Sequence, residues 1–128
     1  VTYLALLLIF KIVVTAVTVS LPFLALPGAK LQAQFGIGAD ALPLARLYGI
    51  AVTALLVGYA GGFAPAQAGV FPWGVVIMGI ASNLGATIGL IVTGGWRRSI
   101  AAPIIFGAIA AALIASTLSP ALALSRAF

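Results

Sequence analysis

So few side chains in this sequence carry charge that the chain cannot be wrapped into a water-soluble domain. Charged residues make up 5% of it, against roughly 25% in an ordinary soluble domain. What remains is long apolar runs punctuated by Gly and Pro, with a mean hydropathy of +1.32. A transmembrane helix needs ~20 predominantly apolar residues, so 128 residues hold four such spans with short connections. The expected fold is all-α: one integral membrane domain, residues 1–128, built as a bundle of four transmembrane helices.

The same composition removes most reaction chemistry. There is no His, no Cys and one acidic residue, Asp40. Thiolate or imidazole metal sites, paired carboxylates and Ser–His or Cys–His nucleophiles all lack residues. No metal or cofactor is expected, and pigment ligation lacks its usual imidazole. A Ser–Lys pair needs Lys11 beside Ser20 or Ser82. Ser20 is too far along the same helix, and Ser82 meets Lys11 only by the accident of packing. The net charge of +5 is six basic residues, scattered among the loops and spans, against one Asp. That is no patch for nucleic acid; in a membrane protein it serves orientation and contact with anionic lipid.

Helix punctuation places the spans at Thr2–Leu26, Leu42–Gly62, Val70–Gly94 and Ile100–Leu122. The first stops at Pro27-Gly28. It reads as a true span, not a secretory leader: no Lys or Arg precedes it, and Lys11 interrupts its apolar run. Asp40 is expected to cap the second span, with Pro43 in its first turn. Phe71, Pro72 and Trp73 open the third, and Gly94-Gly95-Trp96 ends it. Ser99 is expected to cap the fourth. Pro22 and Pro120 fall late in their spans, so each predicts a kink or an early end. Between the first two spans, Leu31 and Phe35 share one helical face, with Lys30 and Gln34 on another. That suits a short helix lying among headgroups, with Gly36-Ile37-Gly38 as a joint.

Loop charge sets the orientation. Lys30, Arg46, Arg97 and Arg98 gather at one side, while the other holds the termini, the uncharged loop from Phe63 to Gly69, and Arg126. Basic loops stay in the cytoplasm. Both termini are therefore expected outside, periplasmic if the membrane is a bacterial inner membrane.

Small residues recur at helical spacing: Ala54, Gly58 and Gly62; Ala81, Gly85 and Gly89; Gly107, Ala111 and Ala115. Such stripes let helix backbones approach closely in lipid. Packing within the bundle and a groove for a second molecule are both open readings. Asn83 lies opposite the Ala81/Gly85/Gly89 stripe. The third span is therefore expected at the centre, and Gly85→Leu is expected to break a contact.

Lys11 is the residue that most needs an explanation. It lies about ten residues into its span, ~15 Å at 1.5 Å per residue, near the middle of a ~30 Å hydrocarbon core. A Lys there costs about 2.5–3.5 kcal/mol on insertion scales, and Asp40 is too far away to pair with it. Thr15 and Thr18 share its face. Asn83 and Thr87 on the third span, and Thr53 on the second, lie at comparable depth. Lys11, Thr15, Thr53, Asn83 and Thr87 thus form a candidate polar cluster. Lys11 has three open readings: snorkelling to the interface, pairing with an acid or headgroup of another molecule, or holding a substrate or proton. Lys30, Arg46, Arg97 and Arg98 are expected among anionic headgroups. Tyr48, Tyr59, Trp73 and Trp96 read as interface anchors.

From Arg46-Leu47-Tyr48-Gly49 onward, across residues 40–115, the chain resembles the DoxX-like small membrane proteins. These have four helices and a basic residue heading the second. The resemblance implies a four-helix bundle and carries no catalytic residue; the absence of acids inside the spans departs from a proton-coupled role. Some members are associated with electron-transfer complexes. The leading expectation is a non-catalytic accessory subunit of a larger inner-membrane complex, with lipids and other membrane subunits as partners. The alternative is a small carrier binding a hydrophobic or anionic molecule at the polar cluster.

Overall fold

Helix α1 (Tyr3–Thr15) begins where the Thr2 side chain accepts a hydrogen bond from the Ala5 amide at 3.1 Å. The computed structural model covers residues Val1–Phe128. Pro22 does not break the first span. A π-helical segment, Ala16–Ser20, precedes α2 (Leu21–Ala25), and the Leu21 amide reaches back to the Ala16 carbonyl. The wider register absorbs the missing proline donor locally, so the span runs on from Tyr3 to Ala25. Leu26 turns extended ahead of Pro27, as the pre-proline restriction requires.

Helix α3 (Gly28–Phe35) is the amphipathic connector. Leu31 is buried while Lys30 and Gln34 are exposed. It ends on Gly36 at φ +64°, a left-handed position that suits glycine.

Helix α4 (Leu42–Gly61) has Pro43 in its first turn, but Asp40 does not cap it. Asp40 sits in a 3-10 turn, Ala39–Ala41, whose carbonyls take the leading amides: Ala41 N–H bonds Gly38 O, and Leu42 N–H bonds Ala39 O. The side-chain cap is displaced by backbone. Helix α5 (Phe63–Gln67) follows almost without interruption.

Helix α6 (Trp73–Val92) starts after Pro72, and its end passes through Gly94 at φ +78°. A 3-10 turn, Gly95–Arg97, leads toward α7 (Ala101–Leu118). Ser99 is not the cap of α7: Ile100 holds that position, with no side-chain hydrogen bond. Pro120 ends α7 early, and α8 (Pro120–Ala123) completes the chain. Four helical stretches are long and apolar enough to cross a membrane: Tyr3–Ala25, Ala39–Gln67, Trp73–Val92 and Ala101–Leu118.

The helices form a ring. The first span packs on α4, α4 touches α6, α6 packs extensively on α7, and α7 returns to α1. The apolar core lies in the half that carries the termini, where Leu4 and Leu8 meet Leu56, Val76, Ile109 and Leu113. The termini close that end: Tyr3 N–H bonds Ser125 O at 3.2 Å, and Ala127 N–H bonds Val1 O at 2.9 Å. The opposite end carries Lys30, Arg46, Arg97 and Arg98, while Arg126 stays at the terminal end beside Thr2.

A ring has no central helix, and this corrects the place expected for the third span. Helix α6 turns Val76, Gly79 and Asn83 inward and leaves Ala81, Gly85 and Gly89 exposed. A Cβ added at Gly85 or Gly89 would meet nothing within 4 Å. One face of α6 can point inside, and burying the Asn83 amide takes that face. The other stripes divide. Gly58 lies against Met78, Gly62 against Leu8 and Val75, and Gly107 against Thr87. Ala54, Ala111 and Ala115 are exposed. The face of α4 that packs is Ala45, Gly49, Val52, Leu56 and Tyr59, a register that Ala54 does not share.

Candidate functional site

The inward stripe of α1 is Leu4, Leu8, Lys11 and Thr15, spaced by four, three and four residues. That is the repeat of one helical face. The register that buries the two leucines therefore carries the lysine and the threonine inside with them. Lys11 is 6% exposed and Thr15 is 3% exposed.

The Lys11 ammonium does not reach for an interface. Its Nζ lies 4.9 Å from the centre of the Phe106 ring and 5.7 Å from that of Tyr59. Aromatic faces attract a cation through their quadrupole, by up to about 2 kcal/mol when the pair is desolvated. Two rings offset part of the burial cost and neutralise no charge. Asp40, the one acidic side chain, is exposed in the turn ahead of α4.

Beside Lys11, α6 supplies an amide locked by its neighbours. Asn83 is fully buried. Its Nδ2 donates to the Gly79 carbonyl at 2.7 Å and to the Tyr59 hydroxyl at 3.0 Å. A carbonyl can only accept, so the nitrogen must face Gly79 and the amide orientation is determined. The Tyr59 hydroxyl also bonds Ser82 Oγ at 2.8 Å, and Ser82 Oγ lies 3.2 Å from the Gly79 carbonyl. Asn83 Oδ1 is left with no partner. Thr15 Oγ1 is the other buried side-chain atom without one.

Both orphan atoms belong to residues lining one cavity of about 50 Å³, together with Lys11, Tyr59, Ser82 and Phe106. Val19, Val52, Leu55, Leu56 and Ala86 supply apolar wall, and the lining extends along α4 to Tyr48, itself 48% exposed. Tyr59 to Tyr48 is eleven residues of helix, about 16 Å at 1.5 Å per residue. The polar site is thus placed at the foot of the apolar core, with its lining continuing toward the basic end.

Of the five residues expected to cluster, Lys11, Thr15 and Asn83 are brought together. Thr53 is not: it donates to Gly49 O at 2.8 Å and bonds Ser20 Oγ, tying α4 to the π-helical segment. Thr87 is not either. It donates to Asn83 O at 2.8 Å and faces Gly107 across the α6–α7 seam. Both hydroxyls are drawn off by carbonyls and packing before they can reach the cavity. Tyr59 was expected at an interface but is 1% exposed. Its place on the stripe Val52, Leu56, Tyr59 is the signal that shows it inward. Ser82 does share the cavity with Lys11, but its hydroxyl is engaged by Tyr59 and Gly79. Tyr48, Trp73 and Trp96 remain well exposed.

The basic end also differs from expectation. Half-buried Arg46 donates to Phe23 O at 2.8 Å and to Leu26 O at 2.5 Å. Arg98 donates to Ala33 O at 3.2 Å and to Gln34 O at 3.0 Å. Each guanidinium satisfies the free carbonyls at a helix C-terminus, where the helix dipole favours positive charge. Arg46 therefore clamps α2, and Arg98 ties the α6–α7 turn to α3. Arg97 lies 5.3 Å from the centre of the Trp96 ring, and Lys30 is exposed.

Comparison with protein-family models, with curated proteins and with solved structures gave no match.

Proposed function

We propose that this chain is a small membrane carrier that binds an anionic molecule at the Lys11 cavity. One observation carries the reading. A buried ammonium with no carboxylate in reach belongs to a residue that lines a cavity inside the bundle. Burying an unpaired ammonium is costly, and an anion entering from outside the chain is the partner that would hold it in its charged form. The site binds and orients; its side chains offer a cation, hydroxyls and an amide. By the positive-inside rule the basic end faces the cytoplasm, so both termini are external and the Tyr48 side of the cavity lies toward the cytoplasmic leaflet.

The test is ligand-linked stability. Purified protein in mild detergent is heated in the sodium salts of acetate, nitrate and chloride. A ligand that binds only the folded state raises the melting temperature with concentration. The expected result is a concentration-dependent rise that Lys11→Met abolishes. An equal response in both proteins removes the reading.

A second reading, the accessory subunit, is favoured by the exposed Ala81, Gly85 and Gly89 face of α6. Stoichiometric membrane subunits retained through gentle purification support it.

A further inference from the structure

At the basic end of the bundle, the seam between α6 and α7 opens into a groove of about 320 Å³, lined by Thr87, Ile91, Trp96, Ile100, Pro103 and Ile104. We infer that this groove and Arg97 together seat one anionic phospholipid, its acyl chain in the groove and its phosphate on the guanidinium. The groove shares no residue with the Lys11 cavity, so the inference is independent of what binds there.

The walls specify an apolar occupant. Ile91, Ile100 and Ile104 are exposed, and Pro103 is buried. Proline has no N–H to offer, and the Thr87 hydroxyl is spent on the Asn83 carbonyl at 2.8 Å. On α6 the groove runs from Thr87 to Ile91, one helical turn or about 6 Å. That is too short a seat for a second helix, and it suits the upper part of a hydrocarbon chain.

The mouth specifies the head. Trp96 follows the end of the span, at the depth where Trp meets the membrane interface. The Arg97 guanidinium lies 5.3 Å from the centre of that ring. Stacking uses the face of a guanidinium and leaves its N–H groups at the edge, where a phosphate accepts two of them at once. Arg46 and Arg98 donate theirs to carbonyls instead. The first turn of α7 begins at Ile100 without a capping side chain, so the positive end of its dipole adds to the same mouth. A zwitterionic lipid brings its own ammonium, whereas an anionic one neutralises Arg97. Basic pockets between transmembrane helices recognise anionic headgroups in this way. Passing inward, the order is Arg97, Trp96, then Ile91 and Ile100, then Thr87 and Ile104. It matches the headgroup, interface and chain of a phospholipid.

Fluorescence tests the seat at its own residue. The chain has two tryptophans, so Trp73→Phe leaves Trp96 as the sole reporter. Quenching of Trp96 by phosphatidylglycerol brominated in the acyl chain is measured on the full chain in mixed detergent micelles. Brominated phosphatidylcholine with the same acyl chains is the zwitterionic comparison. Glycerol 3-phosphate, added in excess as a competitor, supplies the phosphate without the chain.

Phosphatidylglycerol is expected to quench half-maximally at about five-fold lower mole fraction than phosphatidylcholine, the preference that one basic residue at a membrane surface provides. Arg97→Met is expected to bring the two lipids together, and Lys30→Met to keep them apart. Glycerol 3-phosphate is expected to leave the quenching unchanged. Equal quenching by the two lipids when Arg97 is present overturns the seat. So does a preference lost as fully in Lys30→Met as in Arg97→Met, because the attraction then belongs to the net charge of the chain. Displacement of the lipid by glycerol 3-phosphate overturns the role of the groove.

Discussion

Lys11 on α1 places its ammonium 4.9 Å from the centre of the Phe106 ring on α7. The contact joins the first and last spans at the level where the apolar core gives way to the polar cavity. A double-mutant cycle reads it. Phe106→Leu is expected to lower detergent stability more when Lys11 is present than in a Lys11→Met background, with a coupling of about 0.5–2 kcal/mol. Equal losses in the two backgrounds reduce Phe106 to a packing residue.

The glycines of α6 are expected to divide by face. A Cβ at Gly79 would lie 2.7 Å from Leu113 Cδ1 and 3.0 Å from Tyr59 Cε1, while one at Gly85 meets nothing within 4 Å. Gly79→Ala should therefore cost about 1–3 kcal/mol through overpacking. Gly85→Leu should leave the isolated chain as stable as before, the reverse of what the small-residue stripe suggested. If Gly85→Leu melts early as a purified single chain, the exposed face of α6 has been wrongly placed. If it remains stable but loses a co-purifying subunit, the accessory-subunit reading gains its interface.

The basic residues are expected to be unequal. Arg46→Met removes two hydrogen bonds to the end of α2, a loss of about 1.5–3 kcal/mol per charged bond at the upper limit. Arg97→Met removes a surface stacking contact and should change thermal stability by less than about 0.5 kcal/mol. Arg98→Met should leave the melting temperature nearly unchanged but speed amide exchange around Ala33–Gly36, where Arg98 holds the end of α3. Matching melting temperatures for the Arg46 and Arg97 variants would mean that the α2 clamp is idle.

Sidedness is checked with paired reporters. One fused after Phe128 should be active outside the cell, and one inserted in the turn after Gly94 should be active in the cytoplasm. Helix α7, long enough to cross a membrane, runs between the two sites, so they lie at opposite ends of the bundle. Inverted signals would place the basic end outside and the Tyr48 side of the cavity toward the outer leaflet.

Four spans and their approximate limits are legible in the residues alone, because continuous apolarity of membrane length has one physical outcome and Gly and Pro mark its ends. The amphipathic α3 is legible too, from the spacing of Leu31 and Phe35. Lys11, Thr15 and Asn83 were singled out as well, because polar groups at mid-depth stand out against an apolar background. Helix faces were a different matter. Lipid is as apolar as a leucine core, so the hydrophobic pattern does not say which side of a span meets protein. Packing decided that α6 presents Asn83 inward and leaves Gly85 and Gly89 bare. Packing also decided that Thr53 and Thr87 spend their hydroxyls on backbone carbonyls, and that Tyr59 is buried where it orients Asn83. Asp40 was displaced as a cap because a 3-10 turn leads into α4, and Ser99 falls one residue ahead of the cap position of α7, which Ile100 holds. Arg46 and Arg98 were drawn to helix C-termini because a backbone group left without a partner is satisfied by whatever the tertiary structure brings within reach.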